Sequence, residues 1–448
     1  MSEELLSVGL DVGTTSTQMV VSQLQVENRA SGFAVPEMEI TQRQILYRSP
    51  VHFTPLVEGK LVDGRQIRHI VEQEYQKAGI SREQVDTGAI IITGETSRKE
   101  NAQAVLEALS ELAGDFVVAT AGPDQESVLA AKGAGAVEYS AQTGKTVLHM
   151  DIGGGTSNLA LIRDGKIIRT GCLNVGGRLV KFSEAGVITY LSLVLSELTT
   201  MKVGEIPTKE ERKALAQQLT QALEMAAGRR EPTALLRRLL TDEAVQPWAP
   251  PAEEVVVSFS GGVADCIGET FPDLAFGDLG PELGSAIRGS LLCRGDYVLG
   301  QETIRATVIG AGCHSTQLSG STVYHQNVRF PLKNLPVVEI TDFADLPKIL
   351  AAQEGTVVLS FAGKQSPSYG ELTQMAQKIL SQVKPPLFLC LQQDMAKALG
   401  QALALRLPPE TEVLCIDRVK VGEGSFLDIG APVGCALPVV VKTLVLSK

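Results

Sequence analysis

The sequence predicts an α/β protein whose core is built twice and is followed by a further α/β domain. One apolar run ends at Asp11, a loop rich in glycine and threonine follows, and a second apolar run begins near Thr17. The same pattern returns 140 positions later, around Asp151. After about residue 296, short apolar strands alternate with helical stretches, which is typical of a parallel sheet packed against helices.

Three domains account for these patterns, because a chain of 448 residues has room for about three units of roughly 150 residues each. We place the first domain at residues 1–145 with an insertion at about 30–95, the second at 146–295 with an insertion at about 183–250, and the third at 296–448.

Helices of the core are predicted from periodicity and from small side chains. Apolar residues recur at helical spacing over 67–78, where Glu74 is the one polar residue on the stripe. A helix is also expected over 102–113. Small residues dominate two further predicted helices, 125–135 and 285–292, and small side chains allow close helix contact.

Composition excludes several classes of partner. The net charge is −11, whereas a protein that binds the phosphate backbone of nucleic acid needs a basic face. The seven cysteines include no C-x-x-C pair, so neither a disulfide framework nor a zinc site is expected. The apolar stretch 430–446 is interrupted by prolines and is too short to span a bilayer. The chain opens without a leader pattern, and we expect a cytoplasmic protein with no membrane partner.

The two repeats have the features of a phosphate-binding site. Glycine lets backbone amides approach a phosphate closely, and consecutive amides in a tight turn form a concavity for anions. An aspartate at the end of a strand suits a hard cation such as magnesium, which prefers oxygen ligands. Asp11 and Asp151 are therefore the candidate magnesium ligands and catalytic residues. The candidate phosphate-binding residues beside them are Gly13, Thr14, Thr15, Gly153, Gly154, Gly155 and Thr156. A single copy could equally be a plain hairpin turn with a capping aspartate, but two copies in one context favour the site.

A third loop follows a buried strand at Ser258–Ser260. Gly261 and Gly262 make a turn that would admit a flat ring or a ribose against the backbone, before a helix begins near Val263. Taken alone, this pattern is more often a simple strand-to-helix turn. Its place after the two hairpins favours a loop on the adenosine side of a nucleotide.

This ordered set of elements, with helices 125–135 and 285–292 in the places of the first and second connecting helices, resembles the nucleotide core of the actin, sugar kinase and heat-shock chaperone superfamily over roughly residues 5–292. The resemblance implies two similar α/β domains with ATP or ADP and Mg²⁺ in the cleft between them. It also implies a water-positioning residue at the start of the first connecting helix, which here is Glu126 with Gln125 beside it. An ordinary acidic residue at a helix N-terminus is the alternative for Glu126.

Over its whole length the chain more closely resembles the ethanolamine ammonia-lyase reactivating factors. The resemblance is carried by Ser7–Gln18, Val308–Gln317, Gly430–Pro432 and Leu437–Leu444. It implies a chaperone-like, slowly hydrolysing ATPase that binds stalled ethanolamine ammonia-lyase, lets damaged cobalamin leave and handles adenosylcobalamin only indirectly. It also leaves open an association with a bacterial microcompartment.

The sequence also allows other interpretations of the protein's function. Cys313 and His314 lie in a glycine-rich stretch that we interpret as a structural turn packing the third domain on the core, because neither further metal ligands nor a base is visible. A small-molecule kinase would need a general base beside its acceptor hydroxyl, and the sequence indicates no residue for that role. A filament-forming relative is a further alternative. An activator of an iron–sulfur enzyme would need a pair of cysteines.

Overall fold

The computed structural model describes most of the chain. The described residues are 3–13, 16–30, 38–57, 61–92, 117–120, 123–241, 248–300, 302–320, 322–341, 343, 346, 355–419, 421 and 425–443. Thr14, Thr15 and the helix predicted at 102–113 lie outside these residues.

The first sheet has a hairpin on one side and parallel strands on the other. Its strands run in the order β3-β2-β1-β7-β8, and β4 pairs with β2 beside this path. β1 is antiparallel to β2 and parallel to β7, which is parallel to β8. The strands of this lobe, including the small hairpin β5–β6, are β1 (Glu3–Val12), β2 (Ser16–Asn28), β3 (Met38–Arg48), β4 (His52–Phe53), β5 (Leu56–Val57), β6 (Leu61–Val62), β7 (Thr87–Ile92) and β8 (Val117–Thr120).

The second sheet repeats the plan of the first. Its order is β11-β10-β9-β14-β15, with an antiparallel hairpin β9–β10 and parallel neighbours β9, β14 and β15. The duplication predicted from the repeated sequence is therefore confirmed. The strands of this lobe, with the separate hairpin β12–β13, are β9 (Val147–Ile152), β10 (Ser157–Arg163), β11 (Lys166–Leu173), β12 (Val180–Phe182), β13 (Ile188–Leu191), β14 (Val256–Ser260) and β15 (Tyr297–Leu299).

Helices cover both sheets. Helix α1 contains the apolar stripe predicted at 67–78 and buries it. The buried carboxylate of Glu74 is hydrogen-bonded to Tyr47, His52 and Lys77. The predicted helical insertion in the second lobe contains α4, α5 and the short strand β13, whose partner strand β12 lies just before it. The helices of the two lobes are α1 (Gly64–Ala78), α2 (Pro123–Gly133), α3 (Ala136–Thr143), α4 (Lys209–Ala226), α5 (Ala234–Leu239), α6 (Gly262–Gly268), α7 (Gly280–Arg288) and α8 (Ala306–His314).

Two of these helices exchange between the lobes. α2 follows the last strand of the first sheet but packs on β9, β10 and β11, whereas α8 follows the second sheet but packs on β1, β2 and β7. They cross each other where the backbones touch, because a Cβ on Gly133 would overlap the carbonyl of Ala306 and one on Gly310 would overlap that of Leu129.

The second connecting helix was expected at 285–292, and that prediction is wrong. The helix found there, α7, packs on α4 and α6 instead of α2. The glycine-rich stretch containing Cys313 is also not a turn, because it forms most of α8. The duplicated core therefore continues past residue 296, through β15 and α8.

The remaining chain forms one eight-stranded sheet. Its order is β16-β23-β22-β18-β19-β20-β21-β17, in which β18 to β21 are parallel and the flanking pairs are antiparallel. The predicted parallel α/β sheet is thus present, with an antiparallel flank that the sequence did not predict. Its elements are β16 (Thr316–Leu318), β17 (Tyr324–Gln326), β18 (Leu332–Glu339), β19 (Val358–Phe361), α9 (Tyr369–Leu380), β20 (Leu387–Leu391), α10 (Ala396–Ala404), β21 (Val413–Asp417), β22 (Ser425–Ile429) and β23 (Pro438–Thr443).

This sheet rests on the first lobe. β23 contacts β7 and β8, and the buried hydroxyls of Thr87 and Thr316 are 2.8 Å apart. In the part of the chain that the structure describes, no helix is both long and apolar enough to cross a membrane.

Candidate functional site

The two aspartates occupy equivalent places in the two sheets. Asp11 is the penultimate residue of β1, and Asp151 is the penultimate residue of β9. Each lies opposite an amide side chain in its hairpin: Asp11 pairs with Gln18, and Asp151 pairs with Asn158. Directly opposed residues of an antiparallel pair project on the same face. Each lobe therefore presents one carboxyl group beside one amide.

The loops after the aspartates close in the same way. The amide of Gly13 donates to the carbonyl of Ser16 at 2.8 Å, and the amide of Gly153 donates to that of Thr156 at 2.9 Å. Gly155 is exposed, with open space where a Cβ would lie. The second loop thus leaves backbone beside Asp151 that a large anion could approach.

Burial perturbs the acid of the second lobe. Asp151 is 8% exposed, and this desolvation raises the pKa of its carboxyl to about 6 although Ser260 and Thr307 hydrogen-bond to it. Ser260 donates to Oδ1, and Thr307 approaches Oδ2 at 3.5 Å. A buried carboxylate without a cation is costly, so a metal ion beside Oδ2 would stabilise the ionised form.

Glu126 lies beside the second hairpin. It is buried in the first turn of α2, and its Oε2 accepts a hydrogen bond from Asn158 Nδ2 at 2.8 Å. Because Asn158 is the cross-strand neighbour of Asp151, this contact brings Glu126 and Asp151 to one region. The sequence pointed to Glu126 through the order of the elements, whereas it missed Asn158.

Two amide oxygens at the site have no hydrogen-bond partner among the described residues. Gln18 is 3% exposed and Asn158 is 5% exposed, yet Gln18 Oε1 and Asn158 Oδ1 are buried without a donor. Such groups are rare and call for an explanation. Waters of a hydrated cation would supply the missing donors. The sequence signal for both residues was present, since each amide follows its aspartate by seven positions.

The donor set fits magnesium. The candidate ligands and their neighbours are carboxylate and carbonyl oxygens, which are the ligands that a hard cation prefers. Among the described residues, no group of three or more His, Cys, Asp or Glu side chains could hold a metal by itself. Hence water and phosphate oxygens would have to complete the coordination of a magnesium ion held by Asp11 and Asp151.

The third loop packs against the end of β9. Gly261 has φ +85°, and a Cβ there would overlap the carbonyl of Ile152, so only glycine fits without strain. Its amide donates to Thr303 at 2.9 Å. Gly261 is therefore required because the backbone of Ile152 lies so close to it. Gly262 begins α6 and has more room, since the nearest atom to a Cβ there would be Ile304 Cδ1 at 3.9 Å.

A further glycine pair touches the second loop, and the sequence analysis missed it. The amide of Gly177 donates to Gly153 at 3.1 Å, and that of Arg178 donates to Gly154 at 2.6 Å. The Arg178 guanidinium also pairs with Asp278 at 3.1 Å. The signal was the Gly176–Gly177 pair after the third strand of the repeat.

Both hairpins contact the start of α8, the first hairpin at Ile304 just before the helix and the second at Thr307 in its first turn. The carbonyl of Ile304 accepts from Gln18 Nε2 at 3.2 Å, while Thr307 approaches Asp151. The same segment is tied to the first lobe through Arg305, which donates to the carbonyl of Ser49 at 3.1 Å. A helix N-terminus carries partial positive charge and favours anions. The site is thus assembled from both lobes.

Cys313 and His314 do not form a site at the far end of α8. The Cys313 thiol contacts the Ser22 hydroxyl at 3.1 Å, and burial raises its pKa. Burial, together with nearby Arg43 and Lys132, lowers the pKa of His314 to about 3. A neutral imidazole and a protonated thiol in these positions pack the helix against the first sheet.

A duplicated α/β core, with a matching aspartate hairpin from each half and exchanged helices between them, defines a member of the actin-like fold class. The chain belongs to the family described as "Ethanolamine utilisation protein EutA", whose profile matches residues 3–447. This match confirms the resemblance drawn from the sequence.

Related sequences cover almost the entire chain. The "Ethanolamine ammonia-lyase reactivase EutA" of Salmonella typhimurium (strain LT2) is 38% identical, with 99% of each chain covered. The protein of the same description from Escherichia coli (strain K12) is 37% identical, again with 99% of each chain covered. Among solved structures, an Aquifex aeolicus member of the Ppx/GppA family is 14% identical with a TM-score of 0.42, covering 69% of this chain and 97% of its own.

Proposed function

We propose that this protein is an ATP-dependent reactivating factor for ethanolamine ammonia-lyase, which releases damaged cobalamin from the inactivated enzyme so that intact adenosylcobalamin can bind. The observation that supports nucleotide binding is that two matched aspartate hairpins, one from each lobe, contact residues 304–307 at the start of α8. The partner rests on membership of a family whose relatives are described as reactivases of that lyase.

The chain's own residues divide the work at the site. Asp11 and Asp151 would hold a magnesium ion, which supplies charge for the phosphates and orders water around them. The amides of the Gly13 and Gly153 loops would donate to phosphate oxygens, and Gly261 and Gly262 would face the adenosine side. Glu126, fixed by Asn158, would orient and deprotonate a water for slow hydrolysis of the terminal phosphate.

Hydrolysis would act on the partner through the angle between the lobes. A lyase-binding surface responds to nucleotide only if the open and closed forms bind the lyase with different affinity. A coupling free energy of about 3 kcal/mol would change that affinity roughly 150-fold. Turnover can therefore be slow and still drive release of the cofactor.

Reactivation of a stalled lyase is the decisive experiment. Ethanolamine ammonia-lyase is inactivated with hydroxocobalamin and then mixed with this protein, ATP, magnesium and fresh adenosylcobalamin. We expect recovery of ammonia release that requires both ATP and this protein. No recovery, with a lyase that is active before inactivation, would refute the function. A phosphorylated product from ethanolamine or a sugar would support a kinase instead.

A further inference from the structure

Four polar side chains, Asp151 among them, line one face of the second sheet. His149 and Asp151 are two residues apart on β9. On the parallel neighbouring strand β14, Ser258 is paired with His149 and Ser260 with Asp151. Residues two apart on a strand project to the same face. His149, Ser258 and Ser260 are each 0% exposed.

These side chains form a continuous hydrogen-bonded chain. His149 Nδ1 lies 3.1 Å from the Ser258 hydroxyl, and His149 Nε2 lies 3.0 Å from the Ser260 hydroxyl. Ser260 then donates to Asp151 Oδ1. Each ring nitrogen faces a hydroxyl, which can either donate or accept a hydrogen bond, so a ring with one proton satisfies both contacts.

The direction of donation in this chain is fixed by proton counting. An ionised Asp151 can only accept, so the single proton of the Ser260 hydroxyl points at Oδ1. Ser260 must then accept from His149, which places the ring proton on Nε2. Nδ1 of the neutral ring is left as an acceptor and receives the proton of Ser258. Every donor therefore points towards Asp151.

We propose that His149 and Ser260 are positioning residues that fix the Asp151 carboxylate through its Oδ1, leaving Oδ2 to face the cation and its waters. The proposal rests on the proposed ATPase, because it assigns a task to residues behind its second aspartate. Among the described residues, Oδ2 has one long contact, to Thr307 at 3.5 Å, whereas Oδ1 accepts from Ser260, which is bonded in turn to buried His149. A carboxylate held in one orientation lowers the cost of reaching the geometry of hydrolysis.

Paired substitutions test the chain. Ser260→Ala removes the donor to Oδ1, and His149→Leu removes the group that orients the serine. We expect each to lower kcat for ATP hydrolysis by about tenfold, the effect of losing one hydrogen bond to a charged group, with KM for ATP unchanged. His149→Gln keeps one donor and one acceptor and should restore most of the rate. Wild-type kcat in folded Ser260→Ala and His149→Leu proteins would overturn the proposal.

A spectroscopic arm separates this inference from the ATPase itself. Nitrogen-15 NMR of the nucleotide-free protein should show the His149 ring neutral, protonated on Nε2, and shifted by Ser260→Ala. A ring protonated on Nδ1, or on both nitrogens at neutral pH, would contradict the proposed direction of these hydrogen bonds even if ATP is hydrolysed. If wild-type protein hydrolyses no ATP, the proposed function fails, while this measurement still decides the arrangement of His149, Ser260 and Asp151.

Discussion

At the scale of single residues, the molecule places two carboxyl groups in matching positions but in unlike surroundings. Asp11 is half-buried at the end of β1, whereas Asp151 is buried and held by Ser260. The second aspartate is therefore the more deeply buried of the two, and its charge is the more costly in the absence of a cation.

Neutralising either aspartate should stop ATP hydrolysis. Asp11→Asn and Asp151→Asn keep the shape of the side chain but remove the charge that would hold magnesium, so we expect loss of hydrolysis with an unchanged fold. Phosphate release and circular dichroism measure the two effects. Asp164→Asn, at an exposed turn with φ +49°, is the matched control and should hydrolyse ATP normally. Near-wild-type hydrolysis in both site variants would end the magnesium assignment.

The buried carboxyl of Asp151 should also set a pH dependence of stability. Its pKa of about 6 lies above the ordinary value of 3.8, so the folded state binds a proton more readily than the unfolded state between these values. Without magnesium, the stability contributed by this group is therefore fully present below pH 3.8 and is lost as the pH rises through about 6. The loss is on the order of 2–3 kcal/mol.

Urea unfolding in the presence of a chelator measures this dependence. Asp151→Asn should be more stable than the wild type at neutral pH, and the difference should shrink as the pH falls towards 4. Magnesium with nucleotide should narrow the difference at neutral pH, since the cation favours the ionised carboxyl. A constant difference at every pH would show that Asp151 does not titrate in this range.

At the scale of elements, the exchanged helices α2 and α8 hold the two lobes together through bare backbone contact. Gly310 of α8 lies against the carbonyl of Leu129. A Cβ on Gly312 would lie 3.0 Å from the backbone nitrogen and 3.3 Å from the Cα of Gly9 in β1. These glycines let α8 reach both the other connecting helix and the first sheet. They also bring the start of α8 close to the two hairpins.

A single methyl group at the helix crossing should therefore disturb both stability and activity. Gly310→Ala would push α8 from α2, and we expect a loss of about 1–3 kcal/mol in the free energy of unfolding, together with slower ATP hydrolysis. Gly370→Ala is the control, because it is also helical but has nothing within 4 Å of the new methyl group. It should be neutral or stabilising by up to about 1 kcal/mol. Equal effects of the two changes would show that the crossing tolerates separation.

The same helix shows where sequence reasoning stops. The hairpins could be predicted because local apolar runs, an aspartate and glycines define them. α8 could not, since Gly310 and Gly312 weaken its helical pattern and their purpose is a contact with residues far along the chain. Gln18 and Asn158 were missed for a related reason: their importance comes from cross-strand register and from oxygens left without donors.

At the scale of the whole molecule, two lobes and a third domain are joined asymmetrically. The eight-stranded sheet contacts the first lobe through β23, β7 and β8. The first lobe is in turn tied to the segment before α8 by the ion pair of Arg48 with Glu302 at 2.8 Å. A change in the angle between the lobes would therefore move the second lobe relative to the first lobe and the third domain together.

This arrangement predicts that the affinity for ethanolamine ammonia-lyase depends on the bound nucleotide. Affinities measured by surface-immobilised lyase should differ between the ATP and ADP states by between about 5-fold and 150-fold, the range set by coupling energies of 1–3 kcal/mol. Asp151→Asn should bind the lyase in both conditions with one affinity, since without magnesium the nucleotide cannot favour one lobe angle. His149→Gln, which keeps the hydrogen-bonded chain, should retain the difference. Equal affinities of the wild type in both nucleotide states would mean that hydrolysis is not coupled to the partner through lobe closure, because a ligand that binds both shapes equally shifts neither.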